Sequence, residues 1–300
     1  TGFISANAQS YLGYYQDNYA GVQGVLFNPA SIVDSRFKTD INLFSFGTAI
    51  GNDMYAVSFS DAFKSGYDFD TQSKKSFTES NNIISNFDVM GPAFMFNLTP
   101  KHSFAVYTRA RAFINLVGVN GELINELSKE NNIENFDFKL GNPNFTGNSW
   151  GEFGLSYATV LYQKGQHFLK AGLTAKYLQG FVNANFKGDG ISLKYVKNQN
   201  NPVLSQFTST GTATYGTSQD FEVNPNAAID AASKGFGLDL GLVYEWRPDF
   251  VTTKKDSANY KELNKYKLRF GLSLTDLGSI QYNQGIQKKY NLNQSFTEDD

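Results

Sequence analysis

The sequence predicts an all-β fold, specifically an antiparallel transmembrane β-barrel of the outer-membrane type. Several segments alternate apolar and polar residues strictly, as strands do when their two faces meet different environments. Several also exceed about ten residues, the length that crosses a bilayer at a tilt, whereas strands of soluble proteins average about five or six. Aromatic residues form 15% of the chain and gather on the apolar faces. A soluble β-sandwich, which also alternates, is the competing interpretation.

The composition narrows the class of protein further. The chain has 300 residues, a length that commonly forms one domain in all-β barrels, and its net charge is −2 with no basic block. Nucleic acid is therefore not an expected partner. Cysteine is absent, which excludes disulfides, thiol catalysis and cysteine-ligated metals. No apolar run reaches the roughly 18–20 residues of a membrane helix.

We predict two regions: residues 1–40 as an N-terminal plug or periplasmic segment, and residues 41–300 as the barrel. Asn28 followed by Pro29 is typical of a helix start, with Asn28 as N-cap and Pro29 in the first helical position. The polar, aromatic stretch Tyr11–Phe27 before it is not expected to be a strand. Ser295–Asp300 has the character of an acidic loop, so we expect at least one closing strand to be missing from these residues.

Strands are predicted in the order in which the alternation recurs. They are Ile41–Ser60, Asp88–Leu98, His102–Val117, Trp150–Tyr162, His167–Phe186, Gly235–Arg247 and Lys265–Leu277, with weaker strands at Ile191–Lys197 and Thr208–Thr217. A hairpin tip at Gly51–Asp53 is the alternative to a single first strand. Short connections at 99–101 and 163–166 alternate with long ones at 61–87 and 119–149, as in outer-membrane barrels. Residues 122–130 and 225–234 are expected to be helical.

The clearest strand, Phe236–Trp246, defines the two expected environments. Leu238, Leu240 and Leu242 lie on its apolar face, as do Leu268, Phe270 and Leu272 on the last predicted strand, and these six are expected to face lipid. The opposite faces carry charges of both signs, predicted to line the lumen: Arg109, Arg111, Glu152, Lys170, Lys176, Asp239, Glu245, Lys267 and Arg269. Mixed signs favour an internal ion-pair network that fills the barrel; a polar conducting channel is the alternative.

Enzymatic chemistry is not expected. The sequence contains no Gly-x-Ser-x-Gly, His-Glu-x-x-His or phosphate-loop motif, so no catalytic residue, cofactor or metal site is predicted. The two histidines, His102 and His167, each follow a short turn and are interpreted as solvated turn residues. A metal-binding or catalytic pair is the alternative.

Four stretches carry a resemblance to a known group of proteins. Gly24–Ser31, Asp40–Ser45, Leu238–Pro248 and Leu274–Ile280 together resemble an uncharacterised family of Bacteroidetes outer-membrane barrels, distantly similar to fatty-acid-transporter (FadL-type) and PorV-type barrels. The resemblance implies a Gram-negative outer membrane, contact with its lipid and lipopolysaccharide, and Asn28, Pro29 and Ala30 as a lumen plug. The charged inner faces depart from the apolar pocket of a fatty-acid channel.

The resemblance also suggests a modification site and a function. Asp256-Ser257-Ala258 matches an O-glycosylation pattern of such bacteria, which makes Ser257 a candidate. We expect a non-enzymatic accessory or structural barrel with an occluded polar lumen. Its partners would be other outer-membrane or periplasmic proteins of a secretion, barrel-insertion or surface-attachment machinery. The alternative is a FadL-like channel or transporter for a small or hydrophobic solute.

Overall fold

The structure is a computed structural model that describes residues 19–62, 64–127, 135–201, 204–218, 233–248, 264–283 and 285–297. Within these ranges the chain is mostly antiparallel β-sheet, which confirms the predicted all-β class. The strands are β1 (Thr39–Asn42), β2 (Ser45–Asn52), β3 (Tyr55–Ala56), β4 (Lys74–Lys75), β5 (Asn81–Thr99), β6 (His102–Val119), β7 (Phe136–Gly141), β8 (Asn144–Lys164), β9 (His167–Val196), β10 (Gln206–Thr217), β11 (Lys234–Trp246), β12 (Leu268–Gln281), β13 (Ile286–Asn291) and β14 (Gln294–Thr297).

Helices in the described residues are short and lie outside the main sheet. Two 3-10 helices, Gly21–Leu26 and Pro29–Ile32, precede β1. The long connections contain α1 (Phe59–Ala62), α2 (Phe69–Gln72) and α3 (Gly121–Leu127). The helix predicted at 122–130 is confirmed up to residue 127, and residues 225–232 lie outside the described part. No described helix is long and apolar enough to cross a membrane.

Twelve strands form one sheet, and β3 and β4 form a separate pair. The sheet runs from β1 and β2 through β5, β6 and β8 to β9, the longest strand with 30 residues. Beyond β9, β11 pairs with its first part and β10 with its last part, so the two lie end to end along one side. β12 pairs with β11, and β13 and β14 pair with β10. Among the described strands the sheet keeps open edges and does not close into a barrel.

Three sequence predictions about the strands need correction. The first predicted strand, Ile41–Ser60, ends at Asn52 and not at Ser60. The alternative hairpin at Gly51–Asp53 is not formed, because β1 and β2 pair with β5 one after the other in the same direction. Ile191–Lys197 is not a separate strand, because β9 continues to Val196. The loop predicted at Ser295–Asp300 is wrong for its first three residues, which belong to β14. Backbone pairing with β10 compensates for the polar character of this segment.

The two faces of the main sheet differ sharply. The leucines and the phenylalanine expected to face lipid on β11 and β12 are between 36% and 66% exposed. The opposite face, here called the inner face, holds the buried residues and curls so that side chains of β6 and β12 meet across it. An apolar core on this face joins the residues before β1 (19–38, here called the N-terminal segment) to the sheet. The core comprises Val22, Val25, Leu26, Ile32, Val33, Met90, Ala93, Met95, Ala105, Tyr107 and Ala158.

Candidate functional site on the inner face

Seven charged side chains from six strands form what we call the central charge cluster. They are Asp88, Arg109, Arg111, Glu152, Lys176, Asp239 and Asp276. Arg109 pairs with Asp88 and lies 3.7 Å from Glu152. Arg111 Nη1 lies 3.2 Å from Glu152 Oε1, which also accepts a hydrogen bond from Trp150 Nε1–H at 2.8 Å. A buried carboxylate requires such partners, and here cations on β6 supply them to β5 and β8.

Asp276 joins this cluster through a bulge in the β11–β12 pairing. The register shifts between Leu238 and Leu240, and the Asp276 backbone N–H donates to Asp239 Oδ1 at 2.7 Å. Asp276 has a φ of 60°, a left-handed conformation that Asp tolerates better than most residues. Lys176 Nζ lies 2.7 Å from both Asp239 and Asp276, while Arg111 Nη1 reaches Asp276 at 3.0 Å.

The central charge cluster is not fully satisfied by its own members. Four carboxylates (Asp88, Glu152, Asp239, Asp276) face three cations (Arg109, Arg111, Lys176), which leaves one negative charge in excess. Within the described residues, Glu152 Oε2, Asp239 Oδ2 and the Tyr107 hydroxyl are buried without a hydrogen-bond partner. Buried polar atoms of this kind indicate a site for water or for a ligand.

A cavity of about 370 Å³ opens beside the central charge cluster. Arg111, Glu152, Lys176 and Asp276 form its charged side. Its remaining walls are largely apolar and aromatic, and include Phe113, Trp150, Leu178, Ile280 and Tyr282. The volume falls within the range of about 300–1,000 Å³ that is usual for small-molecule sites.

A second group, the terminal charge cluster, fixes the N-terminal segment to the sheet. Its members are Asp34, Lys170, Glu245, Arg247, Lys265 and Arg269. Arg247 Nη2 and Lys265 Nζ each lie 2.7 Å from the Asp34 carboxylate. Burial alone would raise the pKa of Asp34, but Lys265, Arg247 and Lys170 together hold that pKa below its usual value. Lys170 Nζ also donates to the Val33 carbonyl at 2.7 Å.

The Asn28-Pro29-Ala30 segment lies against a row of small residues on neighbouring strands. Asn28 Oδ1 accepts from the Ala30 backbone N–H at 2.9 Å, which confirms the predicted N-cap. We call the facing surface the seat; it consists of Ala158, Gly172, Gly241 and Gly271. Ala158 pairs with Gly172, and Gly172 pairs with Gly241.

A side chain on either of two seat glycines would collide with the N-terminal segment. A Cβ added to Gly172 would meet the backbone of Pro29 and Ala30, and one added to Gly241 would meet Asn28. The absence of Cβ atoms lets Asn28 Nδ2 donate to the carbonyls of Leu242 and Leu272, at 3.1 and 3.2 Å. Glycine is used here because the backbone of a second segment approaches closely.

The structure distributes the nine predicted lumen charges unequally. Five belong to the central charge cluster: Arg109, Arg111, Glu152, Lys176 and Asp239. Three belong to the terminal charge cluster: Lys170, Glu245 and Arg269. Lys267 lies in an exposed bend just before β12. Ser257 lies outside the described residues.

Sequence reasoning missed five members of the two clusters: Asp34, Asp88, Arg247, Lys265 and Asp276. Arg247 and Lys265 could have been found, because strict alternation places each on the same face as an inner-face residue already identified. Asp276 could not have been found, because the bulge exchanges the two faces of β12 after Thr275 and so brings Asp276 to the inner face. Asp88 was placed at the very start of its predicted strand, whereas β5 begins seven residues earlier, at Asn81.

The two histidines make matching contacts at one end of the strands, where each follows a two-residue turn. His102 Nδ1 lies 2.8 Å from the Tyr157 hydroxyl, and His167 Nδ1 lies 2.7 Å from the Tyr244 hydroxyl, each with the two rings stacked. They do not meet each other as a metal or catalytic pair. Within the described residues, no group of three or more His, Asp or Glu side chains is arranged to hold a metal ion.

Comparison with known proteins identifies the family. The model of a family of unknown function (DUF5723) matches residues 29–300. The chain belongs to this family. The DUF5723 match begins at Pro29, so it includes the Pro29–Ile32 helix, both charge clusters and all described strands. Searches of curated proteins and of solved structures found no match.

Proposed function

We propose that this DUF5723 protein is a non-enzymatic transmembrane β-barrel of a Gram-negative outer membrane, of the Bacteroidetes type, with an occluded polar lumen. In this proposal it is an accessory or structural subunit of a larger outer-membrane assembly, such as secretion, barrel-insertion or surface-attachment machinery. Its outer face contacts membrane lipid and lipopolysaccharide. Its other partners are outer-membrane or periplasmic proteins.

The observation that carries the proposal is the inverted distribution of polarity. Large apolar side chains are exposed along the outer face, for example Leu240, Phe270 and Phe153, while ion pairs such as Lys176–Asp239 are buried on the inner face. A soluble protein buries its large apolar groups and exposes its charges. A membrane barrel does the reverse, because lipid surrounds its outer face.

The ends of the strands support the same orientation. Two-residue turns at 100–101 and 165–166 lie at one end of the sheet, and the long connections at 53–80 and 120–143 lie at the other. Outer-membrane barrels have short periplasmic turns and long external loops. The His–Tyr pairs and Trp246 lie at the short-turn end, where an interfacial belt of aromatic residues is expected.

The open edges require strands beyond the described ones, which a neighbouring subunit of an assembly could supply. Among the described strands, β12 pairs only with β11, and β1 and β2 pair only with β5. Unpaired backbone groups are too costly to leave in hydrocarbon, so strands other than the described ones must pair with these edges in a membrane. A partner subunit and further strands of the same polypeptide are the two possible sources.

Occlusion is supported by what fills the inner face. The N-terminal segment lies across the seat and is held by the Asp34–Arg247 ion pair, and the Arg111–Asp276 ion pair joins β6 to β12. We expect little conductance from the protein in planar bilayers. Removing residues 1–40, or neutralising two of Arg109, Arg111 and Arg269, is expected to raise it. Purification in mild detergent should recover a stoichiometric partner.

A second candidate function rests on the 370 Å³ cavity, which leaves room for a solute beside the central charge cluster. A FadL-like channel or transporter for a small or hydrophobic solute would use this space. A large, steady wild-type current together with purification as a lone barrel would favour this function over the accessory role.

A further inference from the structure

Two paired glycines lie in the wall of the cavity beside the central charge cluster. Gly237 and Gly278 are paired neighbours on β11 and β12, and both line the cavity. Phe113 and Trp150 form one wall, while Ile280 and Tyr282 approach from the other side. The result is a compartment with an aromatic and aliphatic body and a charged end.

The charged end carries an excess of negative charge. Arg111 and Lys176 each already contact two carboxylates, so an anionic ligand would have to compete with these carboxylates for either cation. Asp276 is the accessible carboxylate, with its side chain 49% exposed. Behind it, Glu152 Oε2 and Asp239 Oδ2 are buried and accept no hydrogen bond from the described residues. One further positive charge would balance the cluster.

We propose that this cavity binds a small organic cation, consisting of one ammonium group on an apolar or aromatic body. The ammonium group would donate to Asp276 at the charged end. The apolar body would pack against the aromatic and aliphatic walls, where its burial removes apolar surface from water. This inference goes beyond an occluded accessory barrel and does not depend on membrane insertion.

Tryptophan fluorescence gives a direct test, because the chain contains only two tryptophans. Trp150 lines the cavity, whereas Trp246 lies at the short-turn end with its indole N–H on Gln166. The Trp246→Phe protein therefore reports on Trp150 alone. Detergent-solubilised full chain is titrated with phenethylamine, with the anion phenylpropionate and with the neutral 2-phenylethanol. We expect a saturable change with phenethylamine and binding weaker by about tenfold or more for the other two.

Three variants separate binding from folding. Asp276→Asn should weaken phenethylamine binding by about tenfold or more, because the ligand loses its carboxylate. Ile280→Phe should also weaken it, by filling the cavity while every charged group stays in place. Asp137→Asn removes a carboxylate that is 64% exposed on β7 and should have no effect. Circular dichroism checks that each variant is folded.

Two results of the ligand titrations would overturn the proposal. One is the absence of a saturable signal with phenethylamine in folded protein, and the other is binding of phenylpropionate as tight as that of phenethylamine. A loss of binding in Asp276→Asn with full retention in Ile280→Phe would also reject it, because the cation would then bind outside the cavity. Conductance and membrane insertion are measured separately, so failure here leaves the proposed function standing.

Discussion

Arg111 on β6 and Asp276 on β12 form an ion pair of 3.0 Å although β8, β9 and β11 lie between their strands in the sheet. This contact requires the sheet to curl, so that the inner faces of β6 and β12 approach each other. It also makes the bulge at Asp239 a structural requirement, because without the bulge the Asp276 side chain would point to the outer face. The curvature of the sheet and the pairing of its charges are therefore coupled.

A double-mutant cycle on Arg111→Ala and Asp276→Ala measures this coupling. We expect an interaction free energy of about 1 kcal/mol, since the pair is only partly exposed and joins distant strands. Chemical denaturation of the four proteins provides the values. The exposed pair Lys194 and Asp137, at 3.8 Å, is the matched control and should show coupling close to zero. Equal coupling in the two cycles would contradict a role for Arg111–Asp276 in holding the curl.

Docking of the N-terminal segment depends on the glycines of the seat. Gly241→Ala should displace the segment, because the added Cβ meets Asn28 and lies 2.9 Å from Pro29 Cδ. Gly237→Ala, four residues earlier on the same strand and face, makes only ordinary contacts of 3.5 Å and is the control. Ala30→Cys, in this cysteine-free chain, reports the change through its rate of reaction with a bulky polar maleimide.

Labelling of Ala30→Cys should be slow in the otherwise unchanged protein and in Gly237→Ala, and fast in Gly241→Ala. Labelling in the unchanged background as fast as at an exposed loop position would show that the segment does not occupy the seat.

Leu240→Arg tests the assignment of the outer face to lipid. An arginine at the midplane of a barrel wall costs about 2–4 kcal/mol, because its charge must be buried in hydrocarbon. Leu204→Arg is the control, since Leu204 is 54% exposed but lies in the connection between β9 and β10. Stability is measured by denaturant titration in lipid vesicles. The membrane assignment would not survive if both variants folded and inserted with unchanged stability.

Asp34 makes the attachment of the N-terminal segment dependent on pH. Its pKa is lowered in the folded protein, so its ion pairs stabilise the docked segment above the ordinary carboxyl pKa of about 4. This stabilisation is lost as the pH falls through the lowered pKa. Amide hydrogen exchange of residues 30–32 should be slower in the wild type than in Asp34→Asn near neutral pH.

The difference in exchange between wild type and Asp34→Asn should disappear well below pH 4, after correction for intrinsic rates. Asp137→Asn, at an exposed carboxylate, should match the wild type throughout. A difference that persists unchanged at the lowest pH would exclude Asp34 as the titrating group.

Alternation predicted the strands well where one face is apolar throughout. β11 was predicted at Gly235–Arg247 and observed at Lys234–Trp246, because six apolar side chains fix its register. The method failed where backbone pairing decides the structure. Phe136–Gly141 and Gln294–Thr297 are strands because they lie beside β9 and β10, which offer hydrogen bonds that local sequence does not reveal.

The same limit applies to the charge clusters. The alternation of polar and apolar residues identified eight of the nine predicted charges that belong to the two clusters. It could not predict which charges form ion pairs, because pairing depends on the curvature of the sheet and the register of its strands. Asp34 lies in no strand, so no periodicity could identify it. Only the three-dimensional position of the N-terminal segment brings it to Arg247 and Lys265.

The contacts of Asn28 also set an order of events during folding. Its side chain bonds to carbonyls 214 and 244 residues further along the chain, whereas most strands pair with close sequence neighbours. Closing such long loops is entropically costly, and the seat is complete only when β12 is in place. The N-terminal segment is therefore synthesised before the strands but can complete its docking only after β12 has paired. A docked N-terminal segment therefore indicates that the sheet has formed as far as β12.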